Sequence, residues 1–181
     1  ETLIENFGDE EGMFFITSKM KDDVIIRNKQ IVDNVMPNAN AVMIENLTKL
    51  DFITGEHKYN QLNTKIIQDY SSRINKEYFG ICSFLNSLDF FNNYQSIIIT
   101  GINKDDNKKI YDQLIKIYLP NTIFLMIHEK TNIIYKNDFL NQIEIKSESS
   151  IYLCKNNTCS LPSKDVEAVS YTHLTLPTKL A

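Results

Sequence analysis

The sequence predicts a mixed fold, helical hairpins followed by a small α/β subdomain, and three observations carry that prediction. Up to Phe91, apolar residues recur at three- and four-residue steps, the spacing that lines one face of a helix. At Gln95 the period changes, and residues 96–100 (Ser-Ile-Ile-Ile-Thr) and 122–127 (Thr-Ile-Phe-Leu-Met-Ile) are continuous β-rich runs. Between them Ile110, Leu114 and Ile117 keep helical spacing. Continuous apolar strands joined by a helix point to a parallel βαβ unit with a right-handed crossover.

Taken in order, Leu3, Ile4 and Phe7 begin the chain on a helix-like pattern, and Gly8-Asp-Glu-Glu-Gly12 is a turn cluster. Met13-Phe-Phe-Ile-Thr17 and Val24-Ile-Ile26, on either side of a polar stretch, predict a short hairpin over residues 13–26. Val42, Met43, Ile44, Leu47, Leu50 and Ile53 then define a helix over 38–54, with Gly55 as its stop. Tyr59, Leu62, Ile66, Ile67, Tyr70 and Ile74 define a second over 56–76, and Ile81, Phe84, Leu85, Leu88 and Phe91 a third over 79–92. Short turns between long amphipathic helices imply antiparallel neighbours. Residues 1–93 thus read as a helical part and 94–169 as the α/β subdomain, with Ser150-Ile-Tyr-Leu-Cys154 as a third strand. Residues 132–149 are polar, with Phe139, Leu140 and Ile143 as anchors, and read as a connection with a short helix.

Composition narrows the function classes. A hydrophobic fraction of 43% can build a core, and the net charge of -4 comes without a basic block, so a nucleic-acid partner is not expected. The runs 97–99 and 123–127 are far too short to cross a bilayer, so no membrane partner is expected. The chain starts at Glu1, inside a helical pattern, and reads as a fragment with its upstream part missing; the expected compartment is the cytoplasm. Residues 170–181 resemble a translated sequencing adapter and are set aside as a non-native tail, His173 with them.

The stretch from Ile26 to Val42 holds the candidate chemistry. Arg27 offers a fixed fork of donors and Asp33 a paired acceptor, which can bind a polar ligand or tie a loop to the first helix. Asp33 lies too far before that helix to cap it, whereas Asn38 and Asn40 are suited to capping. Cys154 and Cys159 flank the polar Lys155-Asn-Asn-Thr158 and read as reduced or weakly disulfide-forming thiols at a strand turn, with a disulfide or redox chemistry as the alternative. Too few ligands accompany them for a metal, and no cofactor is expected. His57 and His128 read as surface residues. Gly101 with Asn103 superficially looks like a phosphate turn, but Asp105 and Asp106 would repel an anion.

Arg27, Lys29, Asp33, Pro37 and Asn40 match the junction Arg-Pro-Lys-x-x-x-Asp-x-x-x-Pro-Ser-Gly-Asn of thioredoxin domain-containing proteins of the spermatogenesis-associated protein 20 type. Asn28 stands for a proline there, and Asn38-Ala39 for Ser-Gly. Tyr152-Leu-Cys154 through Cys159-Ser-Leu-Pro162 resembles the family's closing Tyr-Val-Cys-x-x-x-x-Cys-x-x-Pro. The resemblance implies the end of a longer protein: a thioredoxin-like domain and most of an α/α toroid upstream, similar to N-acylglucosamine 2-epimerases and six-hairpin glycosidases. The partners it implies are those absent domains and a sugar ligand, with Arg27, Asp33 and Asn40 as ligand-binding candidates at the toroid mouth. No complete active site is expected in this piece, and a non-catalytic scaffold or partner-binding module is the competing function.

Overall fold

The computed structural model describes residues 1–21, 23–74, 79–128, 137–155, 158–167 and 169. The chain divides into two compact units, Glu1–Asn92 and Asn93–Ala181.

In the first unit, α1 (Thr2–Phe7) leads into a long irregular loop, followed by α2 (Ala39–Thr54), α3 (Lys58–Arg73), a 3-10 turn (Phe79–Ile81) and α4 (Cys82–Asn93). The Asn38 side chain accepts from the Asn40 N–H at the start of α2, satisfying one orphan donor. Gly55 ends the helix in the left-handed region (φ 68°) and donates to Asp51 O. Met13, Phe14, Ile44, Leu47, Ile66, Tyr70 and Phe84 build the core, with Tyr70 stacked on Phe84 at 4.0 Å between ring centroids.

The buried stripe of α2 is rotated from the predicted one. Ala41, Ile44, Leu47, Thr48 and Phe52 face inward, while Val42 and Leu50 are exposed. A polar contact sets this face: Asn63 of α3, fully buried, donates through Nδ2 to Ile44 O at 3.1 Å and to Thr48 Oγ1 at 3.0 Å. Hydrophobic spacing cannot register a stripe centred on threonine and asparagine.

The predicted hairpin over 13–26 does not form; the described residues there contain no strand. Consecutive Met13 and Phe14 are both buried, and Ile25 and Ile26 are both exposed, so the alternation a half-buried strand needs is missing. The loop's backbone is satisfied one group at a time instead, as in Phe15 N–H to Phe7 O and Ile16 N–H to Asn28 O, both at 2.9 Å.

Gly12 allows this loop to lie against α3. Its φ is +149°, and a Cβ there would fall 2.5 Å from Lys65 O and 2.9 Å from Asp69 Cβ. Gly12→Ala is expected to lower unfolding free energy by about 1–3 kcal/mol. Urea denaturation checks this, and an unchanged midpoint would contradict it.

The second unit is a four-stranded sheet of order β2-β1-β3-β4, with β1 Gln95–Thr100, β2 Thr122–Ile127, β3 Ser150–Lys155 and β4 Thr158–Cys159. β1 and β2 are parallel, joined through α5 (Lys104–Leu114), and β3 runs antiparallel to β1. All six residues of β1 are buried, and its centre reads as the unbroken apolar run Ile97-Ile-Ile99. Ile97, Ile99, Leu114, Ile151 and Val169 form one core cluster. Asn103 caps α5 by accepting from the N–H groups of Asp105 and Asp106. A short α6 (Asp138–Gln142) lies within the polar connection, where Leu140 and Ile143 are buried. The segment set aside as a non-native tail lies outside the described residues. Among the described residues, no helix is long and apolar enough to cross a membrane.

Candidate functional site

Residues 27–40 carry the loop onto α2, and nearly every polar side chain in them is spent on the chain itself. Arg27 donates to Thr17 O from Nε (3.1 Å) and Nη2 (2.9 Å), reaches Asn6 O from Nη2 at 3.4 Å, and lies 4.0 Å over the Phe15 ring. Its fork grips backbone carbonyls as it would grip a carboxylate. Lys29 sits between two carboxylates, with Nζ 2.6 Å from Asp9 Oδ2 and 2.8 Å from Asp69 Oδ2. Asp69 also accepts from the Met13 N–H at 3.1 Å and from Arg73 Nε at 2.5 Å. Burial works to raise the Asp69 carboxyl, but Lys29, Arg73 and the Met13 N–H outweigh it and hold it below the ordinary carboxylate range. Burial likewise opposes the Lys29 ammonium, and its hydrogen bonds to Asp69 and Asp9 raise it above the usual lysine value.

Asp33 binds elsewhere. Its Oδ1 accepts from the Asn38 N–H at 3.0 Å and from the Ser83 hydroxyl, and its Oδ2 accepts from the Ser83 N–H at 2.9 Å. It therefore secures the first turn of α4 and the entry to α2 together, a capping role that sequence distance from α2 concealed. Burial would raise this carboxyl; the Ser83 hydroxyl and the N–H groups of Ser83, Asn38 and Cys82 lower it below its usual value. Asn40 is not a cap, as sequence suggested. It lies inside α2 with Oδ1 accepting from Phe14 N at 2.6 Å and Nδ2 donating to Phe14 O at 3.1 Å, so it pairs with both backbone groups of one loop residue as a strand would. Asn38 adds a donation from Nδ2 to Gln30 O at 2.9 Å. The Tyr70 hydroxyl donates to Ile31 O.

No ion pair joins Arg27 to Asp33; each bonds to different partners. Close by, an open groove of about 610 Å³ is lined by Leu3, Phe7, Phe14, Phe15, Met36 and Val42 among others, including Pro37 of the junction. Neither Arg27, Asp33 nor Asn40 lines it. Among the described residues its only polar side chain is that of Asn46, so it suits an apolar occupant.

In the sheet unit, Cys154 and Cys159 are joined as a disulfide, the pairing that the sequence left open beside reduced thiols. The two are partners in the β3–β4 register, which brings their Cβ atoms together whatever lies in the turn between them. His57 is exposed, but His128 is engaged rather than merely superficial. Its Nδ1 lies 2.9 Å from Asn107 Nδ2, which also donates to Gly101 O at 2.8 Å, while Asn107 Oδ1 accepts from Ser149 Oγ at 2.6 Å. This fully buried asparagine ties the ends of β1 and β2 to the approach to β3. Sequence reasoning passed over Asn107, whose role needs three segments brought together by the sheet.

These features define a mixed helix-and-sheet chain whose polar junction binds its own backbone. No family model matches it. The chain is similar to Spermatogenesis-associated protein 20 of Rattus norvegicus, 22% identical over 159 residues, which cover 85% of this chain and 20% of that protein. The match supports a distant relationship, and the chain spans about a fifth of the length of the relative it matches.

Proposed function

We propose that the chain is a non-catalytic closing module of a larger thioredoxin domain-containing protein, with its helical unit completing an α/α toroid. Any action on carbohydrate then belongs to the parent protein and to residues outside this chain. The observation that carries the reading is the use of Arg27, Asp33, Asn38 and Asn40 as internal ties, which commits the ligand-binding candidates of the matched junction to the chain itself. The apolar groove adds support, since exposed surface of that kind marks a packing face.

Two measurements on the 181-residue chain test this reading. Calorimetric titration with a panel of neutral and N-acetylated sugars is expected to give no saturable heat. The chain is expected to bind an apolar dye and to gain apparent mass with concentration. Saturable sugar binding, or a monomer with no dye-accessible surface, would overturn the proposal.

A further inference from the structure

We propose that the Cys154–Cys159 disulfide is a thiol–disulfide exchange site, entered at Cys159, that clasps the segment formed by residues 158–167 and 169 onto the edge of the sheet. β4 has only two residues and needs more than its ladder to stay in place. Beyond it, the described residues of the same segment meet β3 at few points: Ser160 N–H to Leu153 O at 2.8 Å, Leu153 N–H to Ser160 Oγ at 3.2 Å, and an isolated bridge in which Ile151 and Ser163 exchange bonds of 2.7 and 2.9 Å.

The segment is gripped from both faces of the sheet. Ile151 and Leu153 share a face with Ile97, Ile99 and Leu114, and Val166 and Val169 pack there. Cys154 is next to Leu153 in β3, so its side chain points to the opposite face. The valines therefore hold one side and the disulfide the other. Removing the disulfide leaves the far grip intact and frees the edge strand, which is the arrangement of a clasp rather than of a core staple.

The direction of entry follows from exposure. Cys154 is 3% exposed, whereas Cys159 is partly open to solvent. A thiolate of a soluble dithiol attacks Cys159 Sγ, forming a mixed disulfide as the Sγ–Sγ bond breaks, and the electron pair leaves on Cys154 Sγ, which takes a proton from water. The reductant's second thiol, as thiolate, attacks the reductant's first sulfur in the mixed disulfide and displaces Cys159 Sγ, which takes a proton from water. The products are two protein thiols and one oxidised dithiol, and the reverse sequence closes the clasp.

The test compares amide hydrogen exchange in the air-oxidised chain, the chain reduced with dithiothreitol, and a Cys154→Ala/Cys159→Ala variant. Without the bond, the Ser160 and Ser163 amides are expected to exchange on the order of tenfold faster, with those of Ile97, Ile98 and Ile99 unchanged. Glutathione trapping is expected to mark Cys159 and to leave Cys154 unmarked, with exposed Cys82 as the labelling control. Equal exchange in all three forms would overturn the clasp, and so would loss of protection throughout β1, which would make the bond a fold staple. A mixed disulfide on Cys154, or three free thiols in the air-oxidised chain, would overturn the exchange site.

Discussion

Lys29→Met should destabilise the helical unit by about 3–5 kcal/mol, the cost of leaving buried charge uncompensated. The Lys29 side chain is 7% exposed, and its partners Asp9 and Asp69 are 22% and 8% exposed. Without the ammonium, two carboxylates remain at the same spot, and one of them keeps only Arg73 as an ionic partner. The loop would lose its hold on α3, because Lys29 and the Met13 N–H meet on Asp69. Urea denaturation at neutral pH measures the effect, and a loss below about 1 kcal/mol would place the triad with surface ion pairs instead.

The pH dependence of the same triad has a definite sign. Asp9, held down mainly by its Lys29 hydrogen bond, and Asp69 both have lowered folded values. Their contribution is complete above the unfolded aspartate value of about 3.9 and is lost as pH falls through the lowered folded values. Lys29 is raised, so its contribution is complete below about 10.4 and is lost as pH rises through its folded value. In Lys29→Met the acid edge should become shallower because each carboxyl moves back toward its ordinary range, and the alkaline edge because the ammonium that titrates there is gone. An acid limb as steep as that of the unsubstituted chain would show that other groups govern it.

How legible this was from sequence depends on whether a role is periodic or depends on a distant partner. Helices α2 and α3 and the β1-α5-β2 crossover announce themselves because burial imposes a repeat of 3.6 or an unbroken apolar run. The loop before α2 has no repeat. Its order comes from single bonds to Thr17, Phe14, Asp69 and Ser83, and those partners become neighbours only once the helices pack. Arginine, aspartate and asparagine bond as well to a ligand as to a backbone, so residue type located the junction without fixing its use. β4 was invisible for a different reason: two residues carry no pattern, and register with β3 defines it.

Asp33→Asn separates a strut from a ligand site, and as a strut it should cost about 2–4 kcal/mol. The carboxylate presents only acceptors, and they meet the N–H groups of Asn38 and Ser83 and the Ser83 hydroxyl. Asparagine keeps the shape but turns a donor toward one of those N–H groups, so a charge-assisted bond is lost and a polar pair is left opposed. Since the folded Asp33 value is lowered, its contribution is complete above about pH 3.9 and is lost below it, so the difference between the two proteins should shrink in acid. Tyr70 gives an independent readout. Burial first, and the Asp33 charge second, push its phenol up to about 12, so the substitution should move its ionisation down in a spectrophotometric titration. Unchanged stability at neutral pH with lost ligand binding in the longer protein proposed as its parent would restore the site reading. Lost stability with a shifted Tyr70 identifies Asp33 as the tie between the starts of α2 and α4.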